Sequence, residues 1–315
     1  MPKAHTYTYV ELFSGCGGMS LGLENAGFTR RLANEISPMA AETFAYNLVE
    51  GARENGLAPS ARDLKAWKNY FSFLTPPPTA PDGTIDEKVF RNWGLHISES
   101  AQLSPEVRKV LTEGSSPNLL VGNANKLADI LKRLPTGPEP SLWKGLDRID
   151  ILAGGPPCQS FSLAGKRQRD NPRNSLFYSF VDIARALKPR VILFENVLGI
   201  TKPFRDDDGV EFHPWHQVCR EFHSAGFVPV PSLINAADFG IPQSRPRFIM
   251  VGLCLKLAKD LIASYPSDHP VHEAIRLGMS AYSDGSNWNP ADDKQLIFRP
   301  DSEETLQRWP EPLFP

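Results

Sequence analysis

Cys158 lies in the stretch ILAGGPPCQSFSLAG, where a short apolar run breaks into two glycines and two prolines before one thiol. Ile151, Leu152 and Ala153 look like a buried parallel strand that Gly154-Gly155-Pro156-Pro157 stops abruptly. Cys158 is therefore expected at a strand's carboxyl end, the edge at which open α/β sheets bind ligands. A thiol there becomes a nucleophile when nearby positive charge favours its anion. Lys166, Arg167, Arg169 and Arg173 follow, with Asp170 among them. Such a basic loop serves either as a solvated face or as a contact for a phosphate-bearing substrate.

Three further constellations could take part. In RVILFENV, Glu195 follows an apolar strand, and partial burial of its carboxyl group would let it donate a proton near neutral pH; a capping role is the alternative. In FGIPQSRPRFIMVGL, Gln243, Arg245 and Arg247 alternate into a strand, so a period of two predicts one shared side. Paired arginines hold a carboxylate, a base edge or a phosphate, or else pair structurally with an acid. In ELFSGCGGMSLGLENAGF, a glycine-rich turn leads from a strand into a helix expected to align Met19, Leu23 and Ala26. Glycines at that place let backbone amides approach a ligand, and the helix start favours negative charge. Because the spacing is not G-x-G-x-x-G, a plain turn accounts for it equally well. Glu35, closing the next strand, stands where doubly wound folds put a carboxylate on ribose hydroxyls, or is an exposed strand-end glutamate.

The elements that must carry these residues alternate. Strands are predicted at Thr6–Phe13, in RRLANEI, at Asn118–Asn123, in RIDILAGG, in RVILFENV, and in two late segments, GFVPVPSLINAADFG and PRFIMVGL. A helix breaks at Lys188-Pro189 before the RVILFENV strand. This is the pattern of an α/β fold with a doubly wound, mostly parallel sheet. Residues 50–117, with TPPPTAPDG, resemble an insertion, and another domain is expected to begin at about Ala258. At 315 residues and 41 % hydrophobic, the chain can bury one large core and a small second domain. No apolar run approaches the ~18 residues of a membrane span, and no leader is apparent, so a soluble, cytoplasmic protein without membrane contact is expected. The dispersed Cys16, Cys158, Cys219 and Cys254 form no C-x-x-C pair, which argues against a metal site or disulfide framework. A net charge of −2 excludes a globally basic nucleic-acid binder while leaving room for a local patch.

Taken in order, ELFSGCGG, GGPPCQSFS, ENV and PQSRPRF closely resemble the blocks of cytosine-5 DNA methyltransferases. The resemblance covers roughly Tyr9 to Leu253 and implies an S-adenosylmethionine-dependent, Rossmann-like fold whose last strand is antiparallel. Phe13, Ser14, Gly15, Cys16, Gly17 and Gly18 would then hold S-adenosylmethionine, with Glu35 on its ribose and Ile36 against its adenine. Asn123, Ala124, Pro157 and Leu176 would complete that pocket, Asn123 standing where the family usually has an aspartate. The resemblance makes Cys158 the nucleophile toward carbon 6 of a flipped-out cytosine, beside Gln159. Glu195 would hydrogen-bond ring nitrogen 3 and the amino group, and Arg245 and Arg247 would hold the base and its backbone. Lys166, Arg167, Arg169, Arg173 and Gln243 would contact the nucleic acid.

The implied activity is methylation of carbon 5 of cytosine in double-stranded DNA, within a restriction-modification or related defence system. The catalytic domain would span residues 1–257, and 258–315 would be a linker or the start of an incomplete target-recognition region. The family's late blocks are not found after Leu253, so dependence on a second polypeptide that carries them is expected. Methylation of a transfer RNA cytosine with the same residues and a non-catalytic, partner-dependent subunit are the alternatives. A nicotinamide oxidoreductase is remote, because the glycine spacing is wrong.

Overall fold

The computed structural model describes residues 6–52, 67, 70–74, 107, 109–111, 118–133, 146, 149–157, 175–205, 209 and 211–281. Two compact units emerge. The first comprises Met1–Gly154 with Arg185–Lys188, and the second Gly155–Ala184 with Pro189–Pro315.

The first unit is built on parallel strands. In chain order it holds β1 (Thr8–Leu12), α1 (Gly18–Asn25), β2 (Thr29–Glu35), α2 (Pro38–Leu48), β3 (Ser72–Phe73), β4 (Leu119–Val121), α3 (Ala124–Arg133) and β5 (Ile151–Gly154). The spatial order is β3-β4-β2-β1-β5, and every pairing is parallel. All five residues of β1 are buried, as expected for a strand covered on both faces. Asp150 secures the strand's start, its carboxylate accepting from the Thr8 amide at 2.8 Å. α1 is shorter than its apolar spacing predicts. It buries Ser20 and Leu23, while Ala26 lies past its end and is exposed, because Gly27 turns the chain with φ 86°. Trp67, Phe71 and Phe73, from the stretch read as an insertion, pack with Ala33, Phe44 and Val121. The Trp67 indole donates to the buried Glu42 carboxylate at 2.8 Å. That stretch thus adds both a strand and part of the core.

The second unit carries the antiparallel strands. α4 (Ser175–Leu187), whose last residues fall in the first unit, precedes β6 (Val191–Val197), and a hairpin β7 (Phe204–Arg205) and β8 (Glu211–Phe212) leads to α5 (Pro214–Ser224). β9 (Phe227–Asn235), β10 (Pro246–Cys254), α6 (Leu255–Ser264) and α7 (Pro270–Ala281) follow. β10 runs antiparallel to both β6 and β9, so the fold is α/β, mostly parallel with antiparallel last strands. β9 contains Pro229 and Pro231, which a sheet accepts on an edge strand where their missing amides cost no ladder bond. Edge-on contacts among Phe177, Phe180, Phe194 and Phe222 tie α4 and α5 to β6. Ala258 and Ile275, from α6 and α7, join Val228 and Leu253 in a buried cluster. Among the described residues, no helix is long and apolar enough to cross a membrane.

Candidate active site

In the first unit, the loop after β1 is wound tightly. Phe13, Gly15 and Gly17 have φ of 56°, 54° and 92°. A phenylalanine in the left-handed region is uncommon and costs free energy, a feature that clusters at ligand loops. Gly17 is indispensable there: a Cβ would come within 2.9 Å of Phe44 and closer still to Leu48. As the N-cap of α1 it offers no side chain, so the first-turn amides of Gly18 and Met19 have no cap and favour an anionic group.

Glu35 closes β2 and is buried. One carboxylate oxygen accepts from the Gly15 amide at 2.7 Å, the other from the Ser37 amide at 2.9 Å. The strand-end carboxylate therefore clamps the glycine loop and the start of α2, leaving further lone pairs for a ligand. Its backbone carbonyl accepts from Gly122, so the segment entering Asn123 lies beside it. The Asn123 side-chain oxygen accepts from the Asn125 amide at 2.9 Å, and buried Ala124 begins α3. Ile36 is half-buried and Cys16 exposed. Ser14 is 5 % exposed, and its hydroxyl has no hydrogen-bond partner among the described residues. A buried, unsatisfied hydroxyl in a strained loop before an uncapped helix fits a polar ligand with a negative end.

Sequence reasoning missed Asn34, which carries no signal of a holding role in the RRLANEI stretch. Buried to 1 %, it donates to the carbonyls of Leu120 and Gly122, at 3.2 and 3.0 Å, while its own carbonyl holds the Ser14 amide. One amide residue thus connects the glycine loop to the strand end before Asn123.

In the second unit, β6 delivers Glu195 and β10 delivers Arg247. Arg247 lies opposite Val197, which puts Glu195 on its diagonal, and the guanidinium Nε meets Glu195 Oε1 at 2.9 Å. Burial pushes the Glu195 carboxyl group above its ordinary pKa, while Arg247 and Arg245 pull in the opposite direction. The predicted alternation of Gln243, Arg245 and Arg247 is only partly realised, because β10 begins at Pro246. Gln243 and Arg245 occupy an exposed loop instead. Asn235 holds that loop, its side-chain oxygen accepting from the Arg245 amide at 2.7 Å.

Gly155 lies directly against the carboxylate: a Cβ would come within 2.6 Å of Glu195 Oε2. Pro156 is buried and Pro157 exposed, and Leu176 is half-buried near the start of α4. Cys158, Gln159, Lys166, Arg167, Arg169 and Arg173 lie outside the described residues. Geometry thus joins Phe13–Gly18 with Glu35 in one unit, and Glu195, Arg247 and the Gly-Pro-Pro turn in the other. A carboxyl group of raised pKa beside two guanidinium groups can exchange a proton with a polar substrate and stabilise charge that develops there.

Comparison with known proteins gives a family. A profile described as "C-5 cytosine-specific DNA methylase" matches residues 7–58 and 127–302, more than half of the chain. Type II methyltransferase M1.HphI of Haemophilus parahaemolyticus is 27 % identical over 248 residues, 78 % of this chain and 45 % of that protein. Type II methyltransferase M.XorII of Xanthomonas oryzae pv. oryzae is 29 % identical over 245 residues, 77 % of this chain and 39 % of its own length. Type II methyltransferase M.AquIA of a Picosynechococcus strain is 26 % identical over 276 residues, 86 % of this chain and 80 % of that one. The chain spans less than half the length of the first two relatives. The expected second polypeptide finds no support among these matches.

Proposed function

Because the chain belongs to the C-5 cytosine-specific DNA methylase family, we propose that it transfers a methyl group from S-adenosylmethionine to carbon 5 of cytosine in double-stranded DNA. The observation that carries this reading is Glu195, raised in pKa by burial, paired with Arg247 and pressed against the glycine of the Gly-Pro-Pro-Cys segment. Ser14, the uncapped start of α1 and Glu35 suit two polar parts of the cofactor, its amino-acid carboxylate and its ribose hydroxyls. When bound, S-adenosylmethionine supplies a methyl group on positively charged sulfur and departs as a neutral thioether.

The chain's own residues do the rest. With the cytosine flipped out of the stack, the Cys158 thiolate forms a bond to ring carbon 6. The electron pair displaced from the carbon 5–carbon 6 double bond spreads toward ring nitrogen 3, where Glu195 donates a hydrogen bond or its proton. Arg247 holds Glu195 in place, while Arg245 and Gln243 contact the base and its backbone. Carbon 5 takes the methyl group, its proton leaves to a base, and the carbon 6–sulfur bond breaks to restore the ring and the thiolate. Lys166, Arg167, Arg169 and Arg173 supply the phosphate contacts. The Type II designation of the relatives favours a restriction-modification setting.

The test is incubation with S-adenosylmethionine and either duplex DNA or transfer RNA, followed by mass spectrometry of the nucleosides. Methylcytosine in DNA alone supports the reading. Methylcytosine in transfer RNA alone replaces it with the RNA activity.

A further inference from the structure

On β6, Ile192, Phe194 and Asn196 form the buried side of the strand. Two of the three are apolar, as a core face demands, whereas Asn196 puts a primary amide there at 4 % exposure. A buried amide costs free energy unless its donor and acceptor are both satisfied. Both are satisfied by backbone: Nδ2 donates to the Pro156 carbonyl at 3.2 Å, and Oδ1 accepts from the Val197 amide at 2.8 Å.

The first of these bonds matters because of what it holds. Pro156 and Pro157 have no amide hydrogens, so the turn cannot be secured by donors of its own. The carbonyl of Pro156 is the only backbone hydrogen-bonding group that residue has. Gly155 is meanwhile packed on the Glu195 carboxylate, so a shift of the turn displaces that carboxylate too. We infer that Asn196 is a positioning residue for methyl transfer: by holding the Pro156 carbonyl from the residue next to Glu195, it sets the turn leading into Cys158 and the Glu195 carboxylate in one register. The inference rests on the roles proposed above for Cys158 and Glu195.

The experiment uses the full chain as wild type, N196A and N196D, and reads two quantities. One is the alkylation rate of Cys158 by iodoacetamide, resolved by peptide mass spectrometry with exposed Cys16 as internal reference. The other is the steady-state kinetics of DNA methylation. The first rate should change by about threefold or more in N196A relative to Cys16, and kcat should fall by roughly tenfold to a hundredfold with KM nearly unchanged, as a misplaced reacting group demands. N196D keeps the side-chain volume and carries the test if N196A does not fold. Its ionised carboxylate faces the Pro156 carbonyl without a proton to donate, and protonation restores the donor. Its rate relative to wild type should therefore recover as the pH is lowered from about 8 to about 6, which lost packing alone would not produce. Unchanged Cys158 alkylation in both variants, or a loss expressed in KM alone, overturns the inference. Altered alkylation with no methyl transfer even by wild type refutes the proposed activity, and with it the role in methyl transfer, while the hold of Asn196 on the turn before Cys158 stands.

Discussion

Glu11, in the middle of the first unit's sheet, gives a prediction that needs no substrate. It is 2 % exposed, and the Ser20 hydroxyl donates to its carboxylate. Burial raises its pKa from 4.5 to about 7, outweighing the Ser20 hydrogen bond and the pull of Arg30. The native state therefore holds this proton more tightly than the unfolded chain. Its contribution to stability is complete below pH 4.5 and is lost as the pH rises through about 7. At about 1.4 kcal/mol per pKa unit, the shift corresponds to about 3 kcal/mol. His216 acts in the opposite direction: burial, with Arg220 and His213, lowers its pKa from 6.5 to about 4, so its contribution is lost as the pH falls through that range. Raw stability curves mix the two effects, whereas the difference between E11Q and wild type isolates Glu11. Urea unfolding at a series of pH values should show E11Q gaining on wild type by about 3 kcal/mol between pH 4.5 and pH 8, most of it before neutrality. A difference independent of pH would refute the assignment of that proton to Glu11.

Removal of the Glu35 carboxylate in E35A frees the Gly15 and Ser37 amides and should weaken S-adenosylmethionine binding about ten- to hundredfold, measured by calorimetry on the isolated chain. Unaltered affinity would place the ribose contact elsewhere. R247A removes a cation that lowers the Glu195 pKa, so the alkaline limb of the methylation rate should move to higher pH; an unmoved limb would mean that Glu195 does not govern it. G155A drives a Cβ toward Glu195 Oε2 and should lower kcat about tenfold or more, while thermal unfolding changes little; equal losses in both would make Gly155 a fold residue.

Much of the framework is legible because segments rich in apolar residues stand between clear turn and helix signals. β1, β5 and β6 fall within the strands expected at Thr6–Phe13, in RIDILAGG and in RVILFENV. β3 was not legible, since two residues carry no periodicity and its place depends on Trp67 and Phe71 reaching the cluster around Phe44. The alternation of Gln243, Arg245 and Arg247 misled for a related reason. Prolines at 242 and 246 remove amide donors, and the strand begins only at the second of them. Glu195 was legible by its place after an apolar run, but its partner was not, because the Arg247 contact depends on the register of β10 against β6. Asn34 and Asn196 had no sequence signal as loop holders. Their roles come from long-range hydrogen bonds, with Asn34 reaching residues 86 and 88 positions away.

The central claim is that Cys158 bonds to carbon 6 of cytosine during methyl transfer. Fluorine at carbon 5 cannot leave as a cation, so a cytosine carrying it would take the methyl group and then be unable to release the enzyme. Intact-protein mass spectrometry after incubation with S-adenosylmethionine and duplex DNA containing 5-fluorocytosine at the methylated site measures this directly. Wild type should gain the mass of the methylated oligonucleotide, mapped by digestion to the peptide containing Cys158, and C158S should gain nothing. Methylation of ordinary DNA with no adduct on the fluorinated duplex, or an adduct that persists in C158S, would contradict the mechanism.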